Sequence, residues 1–243
     1  MGRVHDNYMK YWTPAYWRSY CEGHPVRRYR GRREIQLALE LLRLEGGQRV
    51  LEVGCGYGRL SEVLIAQPNV AWAGAELSPS MAEHCRQALP AHAWVVRADS
   101  SKLPFPAETF DRVLCNGVLM HVEDERKALK KLVRVTRRGG LLVVSGNNVL
   151  HPLGPLMHLR AALRRNYFQR FHLAAFYRHE LERLGCRLES LRGDTLLGVG
   201  IQVAGRVNLP PAWSLPVVAR VDQWGRSLLR YFGYELWFQA VKQ

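Results

Sequence analysis

The 243-residue chain is poor in cysteine, and none of its five cysteines belongs to a Cys-x-x-Cys pair. Their number is odd and they are scattered, unlike the closely spaced even sets of secreted disulfide-bonded proteins. Structural zinc sites commonly use such closely spaced pairs. The sequence therefore predicts no metal site and a reducing compartment, and we expect a cytoplasmic protein.

Long hydrophobic runs are also missing. Residues 1–10 lack the apolar centre of a signal peptide. The longest stretch without Lys, Arg, Asp or Glu, residues 139–159, contains two asparagines and two prolines, which suit a membrane-spanning helix poorly. We expect neither a signal peptide nor a transmembrane segment.

Acidic residues are in the minority. The chain has 35 Lys and Arg against 21 Asp and Glu, which gives a net charge of +14 at pH 7. This excess suits nucleic acid, an anionic membrane surface or an acidic small molecule, and it does not choose among them. The hydrophobic content of 47% is ordinary for a globular chain, so we expect a single folded domain over residues 1–243.

Strand and helix patterns alternate in the first two thirds of the chain. Apolar strands are predicted at residues 49–53, 70–76, 93–98, 110–115 and 141–145. Helical patterns separate them, and alternation of this kind predicts right-handed βαβ units with helices on both faces of a parallel sheet. Later patterns predict a helix at 174–184, a strand at 187–191, a helix at 215–232 and a strand at 235–241.

The most informative motif lies at the end of the first predicted strand. Glu52 precedes a turn in which Gly54, Gly56 and Gly58 alternate with other residues. Glycine permits positive φ and lets a ligand approach bare backbone amides, so the turn predicts a bound cofactor at a helix start. The dinucleotide fingerprint requires Gly-x-Gly-x-x-Gly, so the spacing does not favour a nicotinamide dehydrogenase.

Polar residues stand at or directly after the ends of the next three predicted strands. Glu76 lies 22 residues beyond Gly54, where a carboxylate can accept hydrogen bonds from ribose hydroxyls. Asp99 follows the third strand and Asn116 the fourth. The carboxyl ends of parallel strands meet at one edge, where ligands bind in open α/β sheets. For Glu76 and Asp99 the alternative is the capping of a following helix or turn.

Together these motifs resemble the class I S-adenosylmethionine (SAM)-dependent methyltransferases, of the type 11 and type 25 kind, over residues 35–147. The resemblance implies an α/β fold with a Rossmann-like, seven-stranded, mostly parallel sheet and an antiparallel C-terminal edge strand. It implies SAM as the cofactor, with Glu76 on the ribose and Asp99 on the adenine amino group. The implied cofactor residues are Glu52, Gly54, Gly56, Gly58, Glu76, Leu77, Asp99, Ser100, Asn116 and Gly117.

The N-terminal segment, residues 1–34, is rich in Tyr, Trp and Arg and is predicted to form a lid. Tyr11, Trp12 and Tyr16 are candidates to attract the sulfonium, with simple packing of a first helix as the alternative. The resemblance places Arg30 near the SAM carboxylate, whereas a solvated basic face is the alternative. No catalytic residue is assigned: His121 is the candidate general base, and a structural histidine is the alternative.

Residues 148–243 are expected to form the acceptor-side insert and the edge hairpin. Residues 153–172 interleave apolar side chains with arginines, which suits an anionic membrane surface, an anionic substrate or an ordinary surface helix. We expect methyl transfer to an oxygen or nitrogen atom of a small, apolar or lipid-like acceptor. The alternatives are an RNA methyltransferase and a non-catalytic SAM-fold subunit. Asn116-Gly117-Val118-Leu119 stands where many base amino-group methylases have an Asn-Pro-Pro-Tyr-like motif, which disfavours those enzymes but not RNA methyltransferases that act on ribose or phosphate ends. With no separate RNA-binding module in the sequence, nucleic acid is the less favoured acceptor.

Overall fold

The computed structural model describes residues 13–155, 159, 169–196, 201–203, 207–209 and 211–243. Its strands are β1 (Arg49–Val53), β2 (Ala71–Glu76), β3 (Trp94–Arg97), β4 (Phe110–Cys115), β5 (Thr136–Asn147), β6 (Cys186–Asp194), β7 (Ile201–Val203), β8 (Val207–Leu209) and β9 (Glu235–Lys242). Its α-helices are α1 (Pro14–Glu22), α2 (Pro25–Leu42), α3 (Ser61–Ile65), α4 (Pro79–Ala88), α5 (Glu125–Val135), α6 (Ala174–Arg183) and α7 (Leu215–Asp222).

A seven-stranded sheet has the order β3-β2-β1-β4-β5-β9-β6. Strands β1 to β5 are parallel, and β9 runs antiparallel to both of its neighbours. This confirms the predicted Rossmann-like sheet and its antiparallel C-terminal strand; β6 takes the outermost place beside that strand. The chain reverses its direction of strand addition between β1 and β4, which is where a ligand crevice forms in such sheets.

The sheet has a core on each face. On one side Leu142 and Val144 of β5 join the cluster that includes α5 and α6, and on the other Val143 joins the cluster that includes α2 and α4. A central parallel strand covered on both sides is a continuous apolar run, as residues 141–145 are. In the part of the chain that the structure describes, no helix has the length and apolar character needed to cross a bilayer.

Two N-terminal prolines begin helices. A proline within a helical pattern often breaks or ends the helix, but Pro14 and Pro25 each occupy a first-turn position of α1 or α2, where the missing N–H costs nothing. Helix α2 therefore includes the arginine-rich residues 27–33, and its second half, residues 35–42, contains buried apolar side chains.

The predicted helix at 215–232 ends as an α-helix at Asp222 and continues as short 3₁₀ turns, Gln223–Arg226 and Leu228–Phe232. Gly225, a poor helix former, lies in the first of these turns.

Candidate active site

The glycine turn between β1 and α3 lies at the carboxyl edge of the sheet. Gly54, Gly56 and Gly58 have φ values of 79°, 59° and 97°. The N–H of Gly54 donates to the Ala75 carbonyl across 2.7 Å, which fastens the turn to β2. A Cβ at Gly54 would lie 2.1 Å from Cγ2 of Val118, whereas one at Gly56 would meet none of the residues that the structure describes within 4 Å. Packing therefore requires Gly54, while Gly56 borders open space.

Glu76 ends β2 directly beside this turn. Its Oε2 accepts the Gly56 N–H at 2.9 Å and its Oε1 accepts the Ser78 N–H at 2.8 Å. Burial raises the pKa of the carboxyl, and the backbone N–H groups oppose that shift. Leu77, half-buried, follows it. Each carboxylate oxygen has a further lone pair, so the rigidly held group can also accept from a ligand hydroxyl.

Asp99 follows β3 and caps the 3₁₀ turn Ser100–Lys102. Its Oδ1 accepts the Ser101 N–H at 2.7 Å. The aspartate is half-buried and Ser100 is buried. Turn capping thus accounts for one of the two carboxylate oxygens, and a contact with adenine stays a prediction.

The loop after β4 is tied to β5 and β9 through Ser145. The Gly117 N–H donates to Oγ of Ser145 at 2.9 Å, and this hydroxyl lies 2.8 Å from Oδ1 of Asn116 and 2.6 Å from Oε1 of Glu235. One hydroxyl hydrogen cannot serve both acceptors. Either Glu235 carries a proton or Asn116 presents its amide nitrogen. Burial raises the pKa of Glu235, and the nearby Arg30 opposes that shift.

An ionic network joins α2 to this edge. Arg30 pairs through Nη2 with Oε2 of Glu235 and through Nε with Oε1 of Glu34, both at 3.0 Å. Glu34 also pairs with Arg59, whose Nη1 donates to the Gly31 carbonyl at 2.7 Å. The network therefore connects the residue after the glycine turn with the start of β9. Because two carboxylates hold Arg30, its predicted contact with the SAM carboxylate requires it to share its guanidinium.

Helix α1 lies beside the glycine turn. Nη2 of Arg18 is 3.2 Å from Nε2 of His84 on α4, and its guanidinium is 5.9 Å from the centre of the Tyr57 ring. Tyr16 is exposed and packs edge-on against Trp17 at 5.8 Å. Its contact with a cofactor stays a prediction. The other two lid candidates, Tyr11 and Trp12, lie outside the described residues.

Two further buried polar side chains lie at the carboxyl edge of the sheet. His121 lies in the 3₁₀ turn Leu119–His121 and is buried, and its role as a base stays a prediction. Asn147, at the end of β5, is 1% exposed, and within the described part of the chain neither of its side-chain amide atoms has a hydrogen-bond partner. It lies opposite Glu235 in the β5–β9 ladder, so both side chains emerge on one face. Asn147, Ser145 and Glu235 were not among the residues predicted from the sequence.

Glu52 lies beneath the glycine turn in the core. Its Oε2 accepts from Oγ of Ser61 at 2.7 Å and from Nε1 of Trp72 at 3.2 Å. Burial raises the pKa of Glu52 to about 7, against the lowering effect of these two donors. The carboxyl therefore connects β1, β2 and the start of α3, and its predicted cofactor contact remains untested.

The raised pKa of Glu52 makes stability depend on pH. A carboxyl with a higher pKa in the folded state stabilises the fold most below its unfolded pKa, and this contribution is lost as pH rises through the folded pKa. We therefore compare the free energy of unfolding of Glu52→Gln with that of wild type at two pH values. The variant's advantage is expected to be larger at pH 8 than at pH 4.5, and the difference between the two pH values should be up to about 3 kcal/mol. Urea denaturation at both pH values measures this, and equal differences at the two would contradict it.

The chain is similar to known methyltransferases in sequence. Residues 51–144 match the family model of the methyltransferase domain. An uncharacterised methyltransferase from Mycobacterium sp. (strain JLS) is 37% identical over 109 residues, 45% of this chain and 42% of the relative. The ubiquinone/menaquinone biosynthesis C-methyltransferase UbiE of Coxiella burnetii (strain Dugway 5J108-111) is 31% identical over 118 residues, 44% of this chain and 46% of that protein. The chain thus spans less than half the length of these two relatives.

A solved structure extends the similarity to the whole chain. The crystal structure of a SAM-dependent methyltransferase from Thermotoga maritima, a possible histamine N-methyltransferase, has a TM-score of 0.68 at 21% identity. The match covers 99% of this chain and 100% of that one. At this identity the likeness shows a common fold. Among the residues that the structure describes, no group of His, Cys, Asp and Glu is arranged to hold a metal ion.

Proposed function

Because the chain belongs to the class I SAM-dependent methyltransferases, with SAM as the cofactor, we propose that it transfers a methyl group from SAM to an oxygen or nitrogen atom of a small apolar or lipid-like acceptor. The observation that carries the proposal is the position of Glu76: its carboxylate accepts the Gly56 N–H where the sheet reverses its direction of strand addition. Open space at Gly56 beside an oriented carboxylate fits a nucleoside with a ribose diol.

The protein's contribution is mainly to hold and orient the reactants. SAM supplies a methyl group already activated by its sulfonium, so alignment with the acceptor can provide much of the rate. We propose that Glu76 and Asp99 hold the nucleoside, and that the loop at Asn116 and Gly117 faces the methionine end. The network through Ser145, Glu235 and Arg30 keeps that loop in place.

The acceptor side combines apolar and hydrogen-bonding groups. Tyr234 packs edge-on against Phe171 at 5.9 Å and against His151 at 5.5 Å. Asn147 offers an amide donor and an amide acceptor that no group among the described residues uses. Since an unpaired buried amide is costly, a ligand that pairs with it is a physical reason to keep it. These features support an acceptor with an apolar body and one hydrogen-bonding group.

Asn147 and Asn148 provide a matched test of this acceptor site. Nδ2 of Asn148 donates to the carbonyls of Tyr231 and Gly233 at 2.7 and 2.9 Å, so this neighbour is satisfied by the fold. We expect Asn147→Leu to leave the stability unchanged or raise it by about 1 kcal/mol, and Asn148→Leu to lower it by at least about 2 kcal/mol.

The decisive readouts for Asn147→Leu are SAM affinity and methyl transfer. SAM affinity should be unchanged in calorimetry, while methyl transfer should fall at least about tenfold because one acceptor hydrogen bond is lost. If Asn147→Leu is destabilised like Asn148→Leu and transfers methyl groups normally, the asparagine is structural and its assignment to the acceptor is wrong.

Transfer of a labelled methyl group tests the proposed function. The purified chain is incubated with methyl-labelled SAM and, separately, with a total lipid extract, a polar metabolite extract and total RNA. Label is expected in the lipid fraction, bound to oxygen or nitrogen. The name of the Coxiella relative makes carbon the alternative acceptor atom, which product mass spectrometry distinguishes. Label in RNA alone would favour the RNA methyltransferase alternative, and no transfer to any fraction would favour the non-catalytic subunit.

Cytoplasmic placement and contact with an anionic membrane also remain proposals. The candidate membrane-binding segment at 153–172 lies largely outside the described residues. Support for membrane contact comes instead from the net charge of +14 and from the exposed large apolar side chains between β8 and β9.

A further inference from the structure

A group of large apolar side chains is exposed between β8 and β9. This C-terminal ridge consists of Trp213, Val217, Trp224, Leu229 and Phe232, which are 40–81% exposed. Single exposed apolar residues are ordinary, but five large ones within twenty residues make a patch of the kind that marks an interaction surface.

The local fold explains why these side chains point outward. Helix α7 buries Val218 and Asp222, one turn apart, against the protein. Trp213, Val217 and Trp224 are separated by four and seven residues, a spacing that keeps them on one side of a helical path. Arg220 shares this spacing and is also exposed. One side of this segment is therefore buried against the protein, and the side that contains Trp213 and Trp224 is exposed.

The charge of the ridge favours an anionic partner. Residues 211–234 contain three arginines and one acidic residue, Asp222. That aspartate is buried, and its Oδ1 accepts the Leu196 N–H at 2.7 Å. The exposed surface of the segment thus has arginine and no carboxylate. A second copy would bring the same positive charge against itself, whereas anionic lipid headgroups would neutralise it.

The ridge is joined to α2, the helix that contains the network residues Arg30 and Glu34. Asp222 of α7 is hydrogen-bonded to Tyr29 of α2, which precedes the network residue Arg30. Arg33, one turn further along α2, pairs with Asp194 at 3.5 Å. The segment that contains the ridge is therefore linked through α2 to the ionic network at Arg30 and Glu235.

We infer that the C-terminal ridge docks the protein on an anionic lipid bilayer, with its tryptophans at the headgroup boundary and Arg220 on the phosphates. Tryptophan concentrates at that boundary, and basic amphipathic elements bind it through apolar burial and headgroup charge together. The substrate class that follows, an apolar acceptor resident in the membrane, rests on the proposed function; the docking itself does not.

Vesicle co-sedimentation of the full chain tests the docking. Vesicles of phosphatidylcholine with phosphatidylglycerol in equal parts are compared with pure phosphatidylcholine. The double variant Trp213→Ala/Trp224→Ala is expected to weaken partition to the mixed vesicles at least about tenfold, since two large side chains lose their burial. Arg220→Glu should weaken binding to the mixed vesicles and leave the weaker binding to the neutral ones unchanged. Trp94→Ala, at an exposed tryptophan on the opposite sheet edge, is the matched control and should bind as wild type.

Calorimetric titration with SAM accompanies each variant, so that folding and the cofactor site are monitored in the same samples. If wild type binds SAM but neither vesicle, or if the double variant binds vesicles as Trp94→Ala does, the docking is overturned. A SAM-binding dimer that dissociates in the double variant would show that a second copy covers the ridge, and would overturn it too. Vesicle binding without SAM binding would refute the proposed function and leave the docking intact.

Discussion

Replacing Glu76 with alanine is expected to weaken SAM binding about 100-fold. The carboxylate is held by the N–H groups of Gly56 and Ser78, so its orientation is fixed before a ligand arrives. Hydrogen bonds to a charged group contribute about 1.5–3 kcal/mol each, and at the lower end of this range the loss of two to a ribose diol corresponds to roughly this factor. Isothermal titration with SAM measures the effect.

Two further variants separate binding from folding at Glu76. Glu76→Ala also leaves two backbone N–H groups without their acceptor, so its melting temperature should fall. Glu76→Gln keeps an acceptor oxygen and most of the volume, and we expect it to lose SAM affinity with a smaller loss of stability. Glu83→Ala, at an exposed glutamate on α4, should bind SAM as wild type does. Wild-type affinity in folded Glu76→Ala would exclude this carboxylate from the cofactor site.

Alanine at Gly56 is expected to separate affinity from stability. The φ of 59° costs alanine about 1–2 kcal/mol, but no atom of the described residues lies within 4 Å of the added Cβ. Gly47 has a φ of 81° and equally open surroundings, and it precedes β1 at the amino end of the sheet. Gly47→Ala and Gly56→Ala should therefore lose similar stability, while only Gly56→Ala loses SAM affinity, by at least about tenfold.

Gly54 supplies the opposite case. Its added Cβ would lie 2.1 Å from the Val118 side chain, so Gly54→Ala should be the least stable of the three glycine variants. Thermal unfolding ranks their stabilities, and calorimetry ranks their SAM affinities. If Gly56→Ala and Gly47→Ala bind SAM equally well, the open space at Gly56 is not part of the cofactor site.

The parallel sheet could be predicted from the sequence because its signals are local. Strands β1 and β4 have the predicted bounds, since buried apolar runs end there at glycine or asparagine. β5 begins five residues earlier than predicted because Arg137 to Gly140 look like a loop yet extend the strand. The sequence also predicted correctly which carboxylates stand at the ends of the strands. Their surroundings could not be predicted: Glu52 looks like a ligand residue in sequence, and only packing reveals its two internal donors.

The connections between distant segments could not be predicted. Arg30 and Glu235 are 205 residues apart, and the run around Arg30 looks like a solvated basic face until α2 is packed on the sheet. Asn147 ends an apolar strand in sequence, and its unpaired amide becomes visible only when the surrounding hydrogen bonds are known. Such features depend on tertiary contacts, which no single-sequence pattern records.

Calorimetric titration of the wild-type chain with SAM, and in parallel with the nicotinamide dinucleotide NAD, tests the central claim most directly. We expect SAM to bind at one site per chain and NAD to give no saturable heat, because the glycine turn has methyltransferase spacing and Glu76 faces it. Binding of NAD without SAM, or of neither, would contradict the assignment of this edge of the sheet to SAM.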